Sequence, residues 1–210
     1  MQRLTVMKRS VVSPATSTLL LDCETAGLPE DWGAKSSDFA AWPRLVQIGW
    51  AVADANYQVL SVGTSLVRPD GFLIPPVAVA IHGITTERAT SDGRPIVEVL
   101  AELTAAYAEC GQVVAHNARF DRKVLEAEYL RAGLPVPWKG RKDRWKCSMH
   151  ATVKMCGLRQ KSGAGKFPRI DELYKRLFRK APGSLEHDAG NHVGMLIECW
   201  AELKRRRAWK

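Results

Sequence analysis

Two carboxylates that close an apolar run are the first residues in this sequence that could do chemistry. Leu19, Leu20 and Leu21 directly precede the segment that holds Asp22 and Glu24. Residues two apart on a strand point to the same side, so both carboxylates face one place. Unpaired acids beside a buried strand repel each other and carry a large desolvation cost, unless divalent cations neutralise them. The pattern therefore predicts a metal site at the end of a buried strand.

Two further polar blocks lie far along the chain. One is His-Asn-Ala-Arg-Phe-Asp from His116 to Asp121, and the other is His-Asp-Ala-Gly-Asn-His from His187 to His192. Asp121 falls in the first turn of a predicted helix, where the macrodipole favours an anion. His187 falls near the start of the last predicted helix, and an imidazole suits a base at neutral pH. The simpler interpretations are a helix-terminal charge for Asp121 and a surface side chain for His187.

The blocks resemble the motifs of the DEDDh exonucleases, a family with the ribonuclease H-like fold that includes bacterial proofreading exonucleases and ribonuclease T. The resemblance spans most of the chain and also includes residues 42–48, 81–85 and 167–178. It implies an α/β fold whose mixed central sheet, three antiparallel strands plus further strands, is flanked by helices. It also implies a 3'-to-5' exonuclease that removes nucleotides from single-stranded or frayed ends.

The resemblance assigns catalytic and metal-binding roles. Asp22 is expected to bridge two Mg²⁺ or Mn²⁺ ions, with Glu24 and Asp121 as flanking ligands, and His187 is expected to take the proton of the attacking water. Two cations about 3.5 to 4 Å apart can supply both the activated water and the neutralised phosphate oxygens that phosphodiester hydrolysis needs.

One position departs from the family pattern, because His192 stands where the family has a fourth aspartate. On a helical wheel His192 lies at the edge of the apolar stripe and so still points toward the site. Imidazole can bind a cation but adds no negative charge, and it suits Mn²⁺ or Zn²⁺ better than Mg²⁺, so the second metal ion is in doubt. Asp188 lies one turn earlier, and an offset of about 5.4 Å is too long for it to replace the ligand. Weakened or altered-metal catalysis, a catalytically dead relative and a deliberate substitution all fit the change.

Other residues are candidates for seating the substrate. By resemblance, Thr25, Ile81, His82 and Phe120 line the pocket for the terminal nucleotide. The Phe120 ring could stack on a base, and core packing is the alternative. Asn117 is a further candidate, with capping of the helix that holds Asp121 as its alternative.

The positive charge of the chain is regional. Residues 139–180 contain 14 lysines and arginines against three acids, while the whole chain has a net charge of +9. A nuclease must hold a polyanion beside its own acidic site, so we expect Lys161 and Lys166 to contact phosphates. A solvated face is the alternative. For the second basic cluster, residues 204–207 with Lys210, phosphate contact and a solubilising, frayed terminus both stay open.

Hydrophobic periodicity predicts the elements that position these residues. Strands are expected over residues 17–23, 45–53, 59–67 and 112–116, with a turn at residues 54–56 and a loop between residues 27 and 42. Helices are expected over residues 95–107, 120–131, 170–178 and 188–205, the first of them capped by Ser91 or Asp92. We expect one domain over residues 1–210, with tails at residues 1–16 and 205–210.

Composition limits the cellular setting. The five cysteines are scattered and odd in number, which indicates reduced thiols and a cytoplasmic protein. No segment is apolar for long enough to span a membrane. The expected partners are the 3' ends of single-stranded DNA or RNA, with a polymerase or another nucleic-acid-processing protein as a candidate. The alternative to an enzyme is a catalytically weak or dead nucleic-acid-binding module, polymerase-associated and of the same fold.

Overall fold

A mixed five-stranded sheet forms the centre of the protein in a computed structural model that describes residues 16–183 and 188–209. The strands are β1 (Thr18–Thr25), β2 (Leu45–Ala53), β3 (Val59–Leu66), β4 (Gln112–Ala115) and β5 (Trp145–Cys147). Their order across the sheet is β3-β2-β1-β4-β5. Strands β1, β2 and β3 pair antiparallel, while β4 runs parallel to both β1 and β5. This arrangement confirms the predicted mixed sheet of three antiparallel strands plus further strands.

Helices cover both faces of the sheet. They are α1 (Pro76–His82), α2 (Thr86–Asp92), α3 (Ile96–Ala108), α4 (Ala118–Arg131), α5 (Ser148–Cys156), α6 (Ile170–Phe178) and α7 (Ala189–Arg205), with a 3-10 turn at Lys142–Arg144. The four predicted helices are α3, α4, α6 and α7, whose bounds lie within two residues of the prediction. The predicted cap of α3 is wrong. Ser91 and Asp92 belong to α2, and α3 instead starts after Pro95 without a side-chain cap.

Alternation along β1 decides which helices the two carboxylates meet. Leu19 and Leu21 pack into the core formed with α3 and α4, whereas Leu20 packs into the core formed with α6 and α7. Successive side chains of a strand point to opposite faces, so Asp22 and Glu24 share the face of Leu20. The strand therefore delivers both acids to the side covered by α7.

A third, smaller core lies under α1 and α2, two helices that the sequence patterns did not predict. Val46, Ile74, Ala78, Ile84 and Ala89 are all buried in it. Residues 28–41 contain neither helix nor strand, as predicted for this insertion.

Buried Glu128 ties α4 to the beginning of β2. Its Oε1 accepts hydrogen bonds from Arg44 Nε at 3.0 Å, Leu45 N at 3.1 Å and Arg131 Nη1 at 2.8 Å. Arg131 Nη2 also donates to the carbonyls of Phe39 and Trp42. One carboxylate thus connects the helix of Asp121, the strand beside β1 and the insertion loop.

The chain termini were predicted to be tails. Residues 1–15 lie outside the described residues, as does Lys210. Arg206 Nη2 donates to Leu177 O at 2.9 Å, and Trp209 packs against the core of α6 and α7. Within the described ranges, no helix combines the length and the apolar character needed to cross a membrane.

Candidate metal centre and active site

The end of β1 presents Asp22 and Glu24 toward the first turn of α7. Asp22 is half-buried and Glu24 is buried, and their partners across β2 are Gly49 and Gln47. Strand geometry alone brings the two acids together, as the sequence spacing predicted.

Helix α7 adds His192 to this pair. His192 Nδ1 lies 3.0 Å from Asp22 Oδ2 and 3.3 Å from Glu24 Oε1. Asp22, Glu24 and His192 each offer one ligand atom, and these atoms lie within 4.8 Å of one another. Among the described residues, this is the one group of three or more side chains with such ligand atoms. The structure thus places His192 on the side that the helical wheel indicated, while its role as a metal ligand stays a prediction.

Asp121 approaches the same strand from the opposite helix layer. It lies in the first turn of α4 and is 2% exposed, and its Oδ1 accepts a hydrogen bond from Cys23 N at 3.1 Å. Its Oδ2 is buried and has no hydrogen-bond partner in the described part of the protein. Burial, followed by the charge of Asp22, raises the pKa of Asp121 well above its ordinary value. A buried carboxylate oxygen without a partner is costly, and a cation would remove that cost.

Crowding of acids perturbs the other members of the cluster. Burial and the charge of Asp22 raise the pKa of Glu24 to about 7. Burial alone would lower the pKa of His192, but the hydrogen bond and charge of Asp22, together with Glu24, raise it above its ordinary value. Two carboxylates and one imidazole, those of Asp22, Glu24 and His192, fit a divalent cation, because oxygen and nitrogen donors of this kind are its usual ligands. Asp121 is not part of that group of ligand atoms, so its role as a ligand stays a prediction.

Gln47 and Asp188 fix the beginning of α7. Asp188 caps the helix, with Oδ1 accepting from the backbone N–H groups of Gly190 and Asn191. Gln47 Nε2 donates to Asp188 Oδ2 at 2.7 Å, and Gln47 Oε1 accepts from Ala189 N at 2.9 Å. Both carboxylate oxygens of Asp188 thus bond to groups at the start of α7, and that it does not replace the fourth aspartate stays a prediction. Sequence reasoning gave Gln47 no role, although it lies in one of the family-like blocks.

Gly49 allows the helix to come this close to the sheet. A Cβ atom at this position would lie 2.5 Å from the carbonyl oxygen of Ala189. Any other residue at position 49 would push α7, and His192 with it, away from the acids.

His116 was quoted in a motif without a role, and the structure shows it joining three segments. Its Nε2 lies 2.8 Å from Pro168 O, and its Nδ1 lies 2.8 Å from Ser148 Oγ. A carbonyl oxygen can only accept, so Nε2 carries a proton and donates. Burial lowers the pKa of His116, which favours the neutral ring with Nδ1 accepting from Ser148. The end of β4 is thereby linked to α5 and to the segment before α6.

Four of the predicted substrate-binding residues line one cavity. Thr25, Ile81, His82 and Phe120 all border a cavity of about 880 Å³ that also contains Glu24. Ile81 is 56% exposed, whereas His82 is buried and its Nδ1 accepts from Ile84 N. Phe120 packs against the core and also contacts the ring of Trp32, with 5.9 Å between ring centroids. The core-packing alternative therefore fits the position of Phe120, and stacking on a base stays a prediction.

The alternative for Asn117, capping of α4, holds for its position alone. Asn117 is the N-cap residue of α4, but in the described structure its side chain makes no cap hydrogen bond. Its φ of 84° and ψ of 45° place it in the left-handed region, which asparagine tolerates better than most residues. Asn117 is absent from the described lining of the 880 Å³ cavity, so its contact with substrate stays a prediction.

A second cavity of about 710 Å³ is lined by Asp22 and His192 of the same cluster. Its basic lining residues are Arg169 and Lys175, which sequence reasoning did not single out. Lys161 is exposed, and Lys166 Nζ contacts Glu172 Oε1 at 2.5 Å. Neither predicted lysine is among the described residues that line the two cavities.

His187, the predicted base, lies outside the described residues. Its catalytic role therefore stays a prediction from the sequence.

Comparisons with known proteins were made at the level of families and of solved structures. The model of the RNase T family, described as Exonuclease, matches residues 19–192. Escherichia coli exonuclease I in complex with a dT13 oligonucleotide is 21% identical with a TM-score of 0.72, over 91% of this chain and 42% of that one. The same enzyme in complex with a dA16 oligonucleotide is 22% identical with a TM-score of 0.72, over 91% of this chain and 41% of that one. The zinc-bound form of its complex with single-stranded DNA is 22% identical with a TM-score of 0.71, again over 91% of this chain and 41% of that one.

These matches confirm the predicted ribonuclease H-like fold. The chain spans about two fifths of the length of exonuclease I. No protein of curated function matches it by sequence.

Proposed function

The chain belongs to the exonuclease family, and on that premise we propose that it is a metal-dependent 3'-to-5' exonuclease of the DEDDh type. Its substrates are single-stranded or frayed nucleic-acid ends. The observation that carries the proposal is the convergence of Asp22, Glu24 and His192 beside buried Asp121, between two cavities.

The same four residues would hold the divalent cations, Mg²⁺ or Mn²⁺. Bound at this site, the cations would neutralise the phosphate oxygens and lower the pKa of a water. Asp22 interacts with both His192 and Asp121, since it contacts the imidazole of His192 and its charge raises the pKa of Asp121. His192 takes the place of the fourth carboxylate and favours Mn²⁺ over Mg²⁺.

The remaining residues bind and orient the substrate. The cavity of Thr25, Ile81, His82 and Phe120 receives the terminal nucleoside, with Glu24 at its border. Gln47 and Asp188 hold the first turn of α7 in place, and His187 precedes that turn as the proton acceptor. Lys161 and Lys166 add long-range attraction for the phosphate backbone.

Single-stranded DNA is the substrate to test first. The similar structures are complexes of exonuclease I with dT13 and dA16, which supports DNA. RNA is the alternative, because discrimination depends on contacts with the 2'-hydroxyl.

A catalytically weak binding module is the second candidate, and one observation favours it. His192 already pairs with Asp22 and lies 3.3 Å from Glu24. A protonated His192 would compete with a cation for both carboxylates. A polymerase or another nucleic-acid-processing protein would be the natural partner of such a module.

The test compares Asp22→Asn with Asp70→Asn, because Asp70 is an exposed aspartate outside the cluster. Hydrolysis of labelled single-stranded DNA and RNA is measured with Mg²⁺ and Mn²⁺ in parallel. We expect Asp22→Asn to lose at least about a thousandfold in rate on the preferred substrate, and Asp70→Asn to match the wild type. Binding without hydrolysis in every condition would favour the module.

A further inference from the structure

Phe167 is a large aromatic side chain exposed beside the acidic cluster. Its exposed fraction is 53%, and it lines the 710 Å³ cavity that contains Asp22 and His192. Met149 and Met195 contribute further apolar surface to the same cavity. Exposure alone is common for an apolar side chain, but a ring that lines a cavity with Asp22 offers a flat apolar face to a ligand bound there.

One ring contact and a buried neighbouring residue restrict the position of this ring. The ring of His150 makes a T-shaped contact with Phe167, with centroids 5.0 Å apart and planes at 84°. The next residue, Pro168, is buried, and its carbonyl oxygen accepts from His116 Nε2 at 2.8 Å. The chain therefore presents the ring on a fixed backbone, which lowers the entropic cost of binding a flat ligand.

Cations lie at the same cavity. Arg169 Nε and Lys175 Nζ each lie 3.0 Å from a different oxygen of Asp171. Asp171 neutralises one of the two charges, so the group keeps a net positive charge at the cavity. A flat apolar ring beside a cationic group complements a nucleotide, which combines a base with a phosphate.

We propose that Phe167 is a substrate-specificity residue that stacks on the unpaired base upstream of the bond to be cut. The inference rests on the proposed exonuclease function and assigns the 880 Å³ cavity to the terminal nucleoside. The acidic cluster borders both cavities, since Glu24 lines one while Asp22 and His192 line the other. A strand that occupies both cavities therefore passes its phosphate over the cluster. Stacking on Phe167 requires a base free of its complement, which selects single strands.

The experiment compares two substrates for wild type, Phe167→Ala and Phe167→Trp. The first is a single-stranded thymidine oligonucleotide, and the second is the methyl ester of thymidine 5'-monophosphate, which has neither an upstream base nor a ring in its leaving group. We expect Phe167→Ala to raise KM for the oligonucleotide about tenfold with kcat unchanged, and Phe167→Trp to restore it. Hydrolysis of the ester should be the same in all three proteins.

Two controls isolate the base contact. Leu60→Ala removes a similarly exposed apolar side chain, 49% exposed on β3, and should change the hydrolysis of neither substrate. Removing the penultimate base of the oligonucleotide should weaken its binding to the wild type by the same factor as Phe167→Ala weakens binding of the intact oligonucleotide. The abasic oligonucleotide should bind Phe167→Ala and the wild type equally well.

Equal losses on both substrates, or no loss on the oligonucleotide, would overturn the role of Phe167. A wild type that hydrolyses neither substrate would contradict the proposed function instead. In that case anisotropy of the labelled oligonucleotide in EDTA tests Phe167, because stacking needs no metal. Equal dissociation constants for wild type and Phe167→Ala would then overturn the inference.

Discussion

Glu24 shows how the site lowers the stability of the metal-free protein. Its pKa is raised from an ordinary 4.5 to about 7, first by burial and then by Asp22. The folded state thus resists ionising a group that ionises freely in the unfolded chain. Protonated Glu24 therefore favours the folded state fully below pH 4.5, and this contribution to stability is lost as the pH rises to about 7. His192 acts in the same direction, since its raised pKa favours the folded state only while the ring is protonated.

We therefore predict that Glu24→Gln stabilises the metal-free protein above pH 7, by about 2 kcal/mol, and flattens the fall in stability between pH 5 and pH 7. Urea unfolding in EDTA at several pH values measures this, with Glu109→Gln at an exposed position as the control. If the free energy of unfolding of Glu24→Gln fell with pH as steeply as that of the wild type, the raised pKa of Glu24 would be contradicted.

His192 is the residue at which this chain departs from the DEDDh motif that its sequence resembles. We predict that His192→Asp increases the Mg²⁺-supported rate at least tenfold, which is about 1.4 kcal/mol of transition-state stabilisation, because it restores the fourth carboxylate. The ratio of the Mn²⁺ rate to the Mg²⁺ rate should fall as well. Equal Mg²⁺ rates in the two proteins would show that the imidazole is already an adequate ligand.

At the scale of elements, the docking of α7 depends on Gln47. Its side chain bonds both Asp188 and the backbone of Ala189. We predict that Gln47→Ala lowers the free energy of unfolding by about 1 to 3 kcal/mol and weakens Mn²⁺ binding, because the half-buried cap Asp188 and the buried N–H of Ala189 lose their partner. Calorimetric Mn²⁺ titration is compared with Gln58→Ala at an exposed turn. Unchanged Mn²⁺ affinity would mean that α7 is positioned by packing alone.

Buried Glu128 is the second element-scale contact. It binds Arg44, Arg131 and the backbone of Leu45. We predict that Glu128→Ala costs about 3 to 5 kcal/mol of stability, because two guanidinium groups lose their shared carboxylate. Urea unfolding against Glu109→Ala measures the difference. A loss below about 1 kcal/mol would show that solvent replaces the pair without strain.

The elements that could be predicted from the sequence are those with a full hydrophobic period. The bounds of β2 and α6 match the prediction, and those of β1, α3, α4 and α7 differ by one or two residues. The short helices α1 and α2 offer too few turns for a period to show, and β5 has three residues. The carboxylates Asp22 and Glu24 were predictable because alternation on a strand fixes their side. The contacts of Gln47, His116 and Phe167 depend on tertiary packing, which no local pattern specifies.

At the scale of the whole molecule, two cavities flank one acidic cluster inside a basic chain. We predict that neutralising Lys161 and Lys166 together weakens binding of single-stranded DNA and reduces the log-log salt slope by about one unit. We expect the loss of one phosphate contact and not two, because Lys166 already pairs with Glu172. Neutralising Arg68 and Arg88, which are exposed outside both basic regions, serves as the control. An unchanged affinity and slope would make the region a solvated face.

The most direct test of the account is the direction and metal requirement of hydrolysis by the wild-type chain. A single-stranded DNA labelled at its 5' end is incubated with EDTA, Mg²⁺ or Mn²⁺, beside the same strand labelled at its 3' end. The account predicts no cleavage in EDTA. With Mn²⁺ it predicts a descending ladder from the 5'-labelled strand and immediate release of a labelled mononucleotide from the 3'-labelled one. Intact strands in all metals, or a ladder from the 3'-labelled strand, would contradict it.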